Sequence, residues 1–272
     1  MKFHKRYIGY LLMGFIAAAI VTFYPSKKSN SSPPTYRDYP EIVENGTLRV
    51  ITEYNSLSYF AENDSMGGFD FSLINEFAKE KRLKIQVTAN MSHEKRLKAL
   101  IEGEYDIIAF PLPINNETKD SVLFTIPIIL NRQVLVQRKS EDSTYISNTL
   151  QLANKKVHVV KSSPAILRLH NLSNEIGDTI YIEEVEKYGV EQLLSLVAHG
   201  EIDYLICEES IARSSTTSFP QLDISTPISF TQLYAWGINK NSPILLDTIN
   251  NWLENILSSS FYKEVYQKYY ND

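Results

Sequence analysis

LIEGEYDIIAF at residues 100–110 and VAHGEIDYLICE at 197–208 carry one local plan twice: an apolar helix end, then Gly-Glu-x-Asp, then an apolar strand. Gly103 and Gly200, Glu104 and Glu201, and Asp106 and Asp203 recur at one common offset. Glycine reaches the left-handed conformation that stops a helix, and the acidic pair is expected to solvate the turn before the strand enters a sheet. Both copies also hold the same place in a longer alternation. LRVIT, a helix over Phe69 to Arg82, KIQVTA, a helix over Ser92 to Glu102 and DIIAF come first. KKVHVV, SPAILRLH, TIYIEEV, VEQLLSLVAH and DYLICE follow, beyond the polar stretch Arg138 to Asn148. Strands alternating with helices argue for parallel sheet with helical crossovers. The helices rest on periodicity, with Phe71, Ile74, Phe77 and Ala78 on one face and Leu97, Leu100 and Ile101 on another. The fold class is α/β, built as two related halves.

Outward from this repeat, 43% hydrophobic and 22% charged residues over 272 positions suit one large or two modest domains. A formal net charge of -5, with KEKRLK as the longest basic run, argues against a nucleic-acid partner. The lone cysteine, Cys207, allows no internal disulfide and reads as a small buried hydrophobe. At the N-terminus, MKFHKR precedes YIGYLLMGFIAAAIVTFY, eighteen mostly apolar residues, in the order of an export signal. Two outcomes stay open: cleavage near Ala17 and Ala19, or retention as an inner-membrane anchor, which the length of the run favours. PSKKSNSSPPTYRDYP then reads as a tether. Residues 1–25 are expected to be signal or anchor, and 26–40 the tether.

Two halves leave a cleft, and open α/β sheets bind beyond the carboxyl ends of their strands. VHVVKSSPAIL ends a strand and opens a helix, with Ser162 or Ser163 as N-cap and Pro164 at the first helical position; free N–H groups there would hold an anion, and plain capping is the competing reading. Glu208 closes DYLIC, where its carboxylate would face the cleft and take a cationic group, or else be a solvated strand end as Glu209 is. Enzyme motifs are lacking: SHEKRL has no second histidine for a zinc protease, and GxSxG and GxxxxGK[ST] do not occur. No metal or cofactor site is read, no catalytic residue is assigned, and the chain is expected not to be an enzyme. His158, within a strand, reads as structural.

GTLRVITEYNSLSYF, GGFDFSLINEFAKEKRLKIQV, ALIEGEYDIIAF, GEIDYLICEESIA and VYQKYY, in this order and spacing, resemble the family 3 extracellular solute-binding proteins, periplasmic receptors that close two lobes on amino acids or related solutes. Within that family the chain is most similar to the binding module of membrane-bound murein transglycosylases, and is expected to lack their catalytic domain. The resemblance implies a type II periplasmic-binding-protein fold with two crossover strands as a hinge. Lobe 1 would comprise 41–134 and 229–272, and lobe 2 would be 135–228. It also implies Glu208 for a ligand's amino group, Ser162 and Ser163 for its carboxylate, and stacking by aromatics such as Tyr54, Tyr59 and Phe60. The family's Thr-x-x-Arg clamp is missing. Phe110, Pro111 and Pro113 stand at the hydroxyl positions and Thr118 at the arginine position, leaving Lys119 as a partial substitute. Arg132, on the crossover, is a further cation. Tyr262, Tyr266 and Tyr269 read as packing on the last helix. The expected partners are a small-molecule ligand, an ABC-type permease and the inner membrane. The functions left open are extracytoplasmic solute binding for transport, an anchored sensor of cell-wall metabolism, and a dehydratase-like enzyme.

Overall fold

A computed structural model describes residues 36–63, 65–140 and 144–270. The apolar segment at 1–25 and the tether up to residue 35 lie outside the described residues, among which no helix is long and apolar enough to cross a membrane. From Arg37 onward the chain has fixed partners. Asp38 caps helix α1 (Tyr39–Asn45) in a capping box with Glu41, and its carboxylate also accepts from the N–H groups of Ile244 and Leu245. One acid thus satisfies the orphan donors of two helix starts. The end of the stretch read as a tether is therefore pinned by its own polar side chains.

Strands β1 (Thr47–Thr52), β4 (Lys84–Ala89), β5 (Ile107–Pro113), β13 (Gln232–Asn239) and β6 (Val122–Phe124) form one sheet in the order β4-β1-β5-β13-β6, with β7 (Ile129–Asn131) added on β13. Strands β9 (Lys156–Val160), β10 (Tyr181–Val185), β11 (Leu205–Glu208), β8 (Gln133–Arg138) and β12 (Leu222–Pro227) form a second sheet in the order β10-β9-β11-β8-β12. A hairpin of β2 (Phe60–Glu62) and β3 (Ser65–Gly67) stands apart. The repeat is structural: β5 has parallel β1 on one side and antiparallel β13 on the other, and β11 lies between parallel β9 and antiparallel β8. Gly103 and Gly200 take φ of 74° and 82°, the left-handed values that end the preceding helices α3 (His93–Ile101) and α6 (Val190–His199). Asp106 does not solvate its turn. It is buried, paired with Arg37 and Arg49, and accepts the Arg49 N–H at 2.7 Å, because both arginines converge on the start of β5.

Helix α2 (Phe69–Glu80) covers the first sheet with Phe69, Leu73, Ile74 and Phe77, and Phe77 meets Trp252 of α8 (Pro243–Ile256) edge-on at 5.5 Å. Each such side chain contributes about 1.5–3 kcal/mol by leaving water. Phe71, expected on this face, turns to the Tyr59 ring, and Leu73 takes its place. The buried residues of α3 are Arg96 and Leu100, while Ile101 is exposed, so that helix is rotated from the periodic expectation. The last helix, α9 (Ser260–Tyr270), packs Tyr262, Tyr266 and Tyr270 edge-on against Phe69.

The chain leaves the first sheet at β7, passes through Arg132 and enters the second at β8; it returns between β12 and β13. The two crossings run side by side, with Ile228 N–H donating to the Gln133 carbonyl at 2.8 Å and Gln133 N–H donating to Ser229 Oγ at 2.9 Å.

Candidate functional site

Both sheets reverse their strand order at one place, between β1 and β5 and between β9 and β11. Crevices form at such switch points, outside the carboxyl ends of the strands. Here they meet in one partly open cavity, where about 820 Å³ of empty space includes open solvent. Glu53 follows β1, Phe110 to Pro113 end β5, Ser163 follows β9 and Glu208 ends β11, and all of them line it. Tyr234 on β13, Asn131 at the crossing and Tyr270 on α9 complete the wall.

The cation of this cavity is Arg96. Ser92 caps α3 by accepting from Lys95 N–H, which sets Arg96 one turn before Leu100 on the helix's buried side. The side chain is 2% exposed. Its Nη2 stands 2.8 Å from Glu53 Oε2, Nη1 donates to the Asn90 carbonyl, and the guanidinium lies 4.7 Å from the Phe110 ring centroid. The apolar end of β5 therefore serves as a cation–π platform for the protein's own arginine. Arg96 Nε is buried with no hydrogen-bond partner among the described residues, and so is the Tyr234 hydroxyl.

Burial raises the Glu208 carboxyl above its ordinary value, Glu53 adds repulsion, and Arg96 opposes both. Burial, with Arg96 nearby, pulls His93 down to about 4, so it is neutral at pH 7. Burial also lifts the Tyr234 phenol, helped by Glu208. With both carboxyls ionised, Glu53, Glu208 and Arg96 would carry one net negative charge on the wall, and burial favours a neutral Glu208 until a cation comes to it.

Phe110, Ser163 and Glu208 come together on this wall. Tyr54 lines an adjoining rim cavity with Tyr188 and Glu191, which shares Glu53, Asn55, Met91, Gly189 and Val190 with the main one. Tyr59 supports Tyr54 ring to ring at 6.3 Å and lines neither cavity. Lys119 is exposed and also lines neither. Ser162 takes φ 59° and lines an outer groove with His93 and Thr118. The expected free N–H groups at this turn are not there. Ser162 N–H donates to Glu184 Oε2 at 3.0 Å, Ser163 N–H to the Val160 carbonyl, and Ala165 N–H to Ser163 Oγ at 3.2 Å. Pro164 is the N-cap itself and α5 (Ala165–Ile176) starts one residue later, because the left-handed Ser162 turns the chain before the helix begins.

Arg132 and Glu209 are not merely solvated: Arg132 holds Glu209 with two hydrogen bonds of 2.7 and 3.0 Å, and Arg213 joins them. His158 Nδ1 sits 3.2 Å from the Tyr204 carbonyl, as a structural histidine would. Arg96, Glu53 and Tyr234 escaped the sequence reading. Arg96 left a trace, as a charge four positions before Leu100 on an apolar face. Tyr234 left none, since an apolar crossover strand accommodates tyrosine anyway. At the mouth, Ser56 N–H donates to Glu191 Oε1 at 2.9 Å, and Leu57 packs with Val190 and Ile211 across the gap.

The model of the bacterial extracellular solute-binding proteins, family 3, matches residues 48–272. Among curated proteins, membrane-bound lytic murein transglycosylase F of Desulfosudis oleivorans is 26% identical over 266 residues, covering 98% of this chain and 56% of that protein. The protein of that name from Photobacterium profundum is 27% identical over 205 residues, covering 75% of this chain and 40% of its own length. The chain spans about half the length of the curated relatives it matches. Among solved structures, a mutant of ArgBP from T. maritima superposes with a TM-score of 0.75 at 23% identity, covering 86% of this chain and 99% of that one. An ancestral arginine-binding protein bound to glutamine gives 0.73 at 24%, covering 84% and 99%. An ancestral amino acid-binding protein, a precursor of cyclohexadienyl dehydratase, gives 0.72 at 23%, covering 85% and 98%. These likenesses establish a mixed α/β fold of the periplasmic-binding-protein kind.

Proposed function

Since this chain belongs to the bacterial extracellular solute-binding proteins, family 3, we propose that it is an extracytoplasmic binding protein that closes two lobes, 41–134 with 229–272 and 135–228, on a small polar solute bearing an amino group. The observation that carries this reading is the set of half-buried Glu208 and buried Arg96 and Tyr234 around one cavity between the sheets, with two donors left without partners among the described residues. Native proteins rarely leave buried polar groups unpaired, and a site for a ligand is one reason to do so. Phe110, Ser163 and Glu208 are its contacts, and Tyr54 stands at the mouth. Tyr59 buttresses Tyr54, Ser162 shapes the outer groove, and Lys119 takes no part. The paired crossings act as the hinge.

The role of this binding follows the relatives. Their name is that of a membrane-bound murein transglycosylase, which favours a sensor or regulatory module of cell-wall metabolism, held at the inner membrane by the N-terminal apolar segment. Delivery to an ABC-type permease is the second reading, favoured by likeness at TM-score 0.73 and 18% identity to the substrate-binding protein of an amino acid ABC transporter. A dehydratase-like reaction would need Glu208 as proton donor, and turnover lost in Glu208→Gln.

A thermal-shift screen against amino acids, short peptides, muropeptides and sugars tests the reading. A ligand at one hundred times its Kd adds about 2.7 kcal/mol of stability. The shift is expected for at least one amine-bearing compound and is expected to vanish in Glu208→Ala. If no compound in the screen stabilises the protein, the binding function fails.

A further inference from the structure

We propose that the cleft selects a ligand of net charge +1, an ammonium group beside a neutral carbonyl, and discriminates against the free amino acid with its carboxylate. This rests on the binding function above and names the chemical class that the cavity would take.

Charge balance is the first ground. The charged side chains on the wall are Glu53, Glu208 and Arg96, and the guanidinium is already committed to Glu53 at 2.8 Å. Glu208 is left to a guest. A zwitterion brings no net charge, so it would leave a buried carboxylate uncompensated or force it to take up a proton, and its own carboxylate would face two others. A monocation neutralises the cavity. An uncompensated buried charge is heavily penalised where dielectric screening is weak.

The absence of an anion clamp is the second. Both terminal nitrogens of Arg96 already hold an acceptor of the protein, Glu53 and the Asn90 carbonyl, and its face lies on Phe110, so a ligand carboxylate would have to share the guanidinium with Glu53. The β5 rim offers Pro111 and Pro113, which carry no N–H, and the Ser162–Ala165 turn has spent these backbone donors on Glu184, Val160 and Ser163. Among the donors on the wall, Arg96 Nε and the Tyr234 hydroxyl are buried with no partner among the described residues, and each is a single donor suited to one carbonyl oxygen.

The outlet is the third. A second cavity beside Tyr54 and Tyr188 adjoins this one and shares Met91 and Gly189 with its wall. A ligand whose carbonyl carries an amide has a direction in which to extend. The same chemistry therefore has two sources, a small amino-acid amide or the amino terminus of a peptide.

Matched pairs test this near pH 6.5, where an α-ammonium group of pKa about 7.7–8.0 is protonated. Glycine, alanine, leucine and phenylalanine are titrated calorimetrically beside their amides, their N-acetyl derivatives, and C-terminally amidated tripeptides that begin with each residue. For the residue that fits, the amide is expected to bind at least about tenfold tighter than the free amino acid, and the N-acetyl compound not at all. In Glu208→Gln, which relieves an unpaired charge at equal size, the preference is expected to shrink to within about threefold. Tripeptide amides matching or exceeding the simple amide assign the peptide terminus; amides alone assign a small amine. A free amino acid that binds as tightly as its amide overturns the inference and leaves the binding function standing. If nothing in the set binds, the inference falls, and the thermal-shift screen decides the binding function.

Discussion

Arg96→Ala is expected to destabilise the protein by about 3–5 kcal/mol, the usual cost of removing one partner from a buried ion pair. The side chain is 2% exposed and its partner Glu53 12%, so the carboxylate left behind has little water to turn to. The Phe110 ring loses its cation as well, and Glu208 loses the one positive charge that offsets its burial. Urea unfolding read by far-ultraviolet circular dichroism measures the loss. Adding Glu53→Gln to the same protein is expected to restore part of it, since the orphaned charge goes with the substitution. A loss below about 1 kcal/mol would mean that the pair behaves as a solvated surface bridge, and the account of the cavity's electrostatics would be wrong.

Asp70→Asn is expected to act in the opposite direction, and only above acid pH. Asp70 lies fully buried under α9, where burial pushes its carboxyl up to about 7 against the hydrogen bond from Trp236 Nε1 at 2.7 Å. Its second oxygen, Oδ2, makes no hydrogen bond of normal geometry among the described residues, although the Ser58 side chain acts on the carboxyl and lowers it. The folded chain therefore holds a proton that the unfolded chain, with an Asp pKa near 3.9, has already released. Stability from this group is complete below about pH 4, declines as pH rises, and is spent once pH passes about 7. At about 1.36 kcal/mol per pH unit the decline amounts to about 4 kcal/mol. Asparagine keeps an acceptor for Trp236 and carries no charge. The difference between variant and parent in urea midpoint is thus expected to be near zero at pH 4 and to grow to favour the variant by pH 8. Parallel curves across that range would show that Asp70 ionises as an ordinary surface acid.

The two halves were legible in the sequence for a local reason. Helix period, strand runs and the glycine stops at Gly103 and Gly200 are set within a few residues of each other, and the structure places both copies at equivalent positions in sheets of matching order. The positions of Glu208, Phe110 and Ser163 followed too, because strand ends in such sheets converge by topology. The readings that failed depended on partners distant in the chain. Asp106 looked like a turn acid until Arg37 and Arg49 reached it, and the Ser162 N–H looked free until Glu184 took it.

Period and spacing by themselves determined a twofold α/β chain with a carboxylate at the end of its second central strand. Only the tertiary structure decided what that carboxylate faces. Glu53, Arg96, Glu208 and Tyr234 come from four separate elements and meet through packing of two sheets. Glu53 and Arg96 act on the Glu208 carboxyl, and Glu208 on the Tyr234 phenol, across a space that no local pattern encodes, because electrostatic energy depends on distance through the fold and not along the chain.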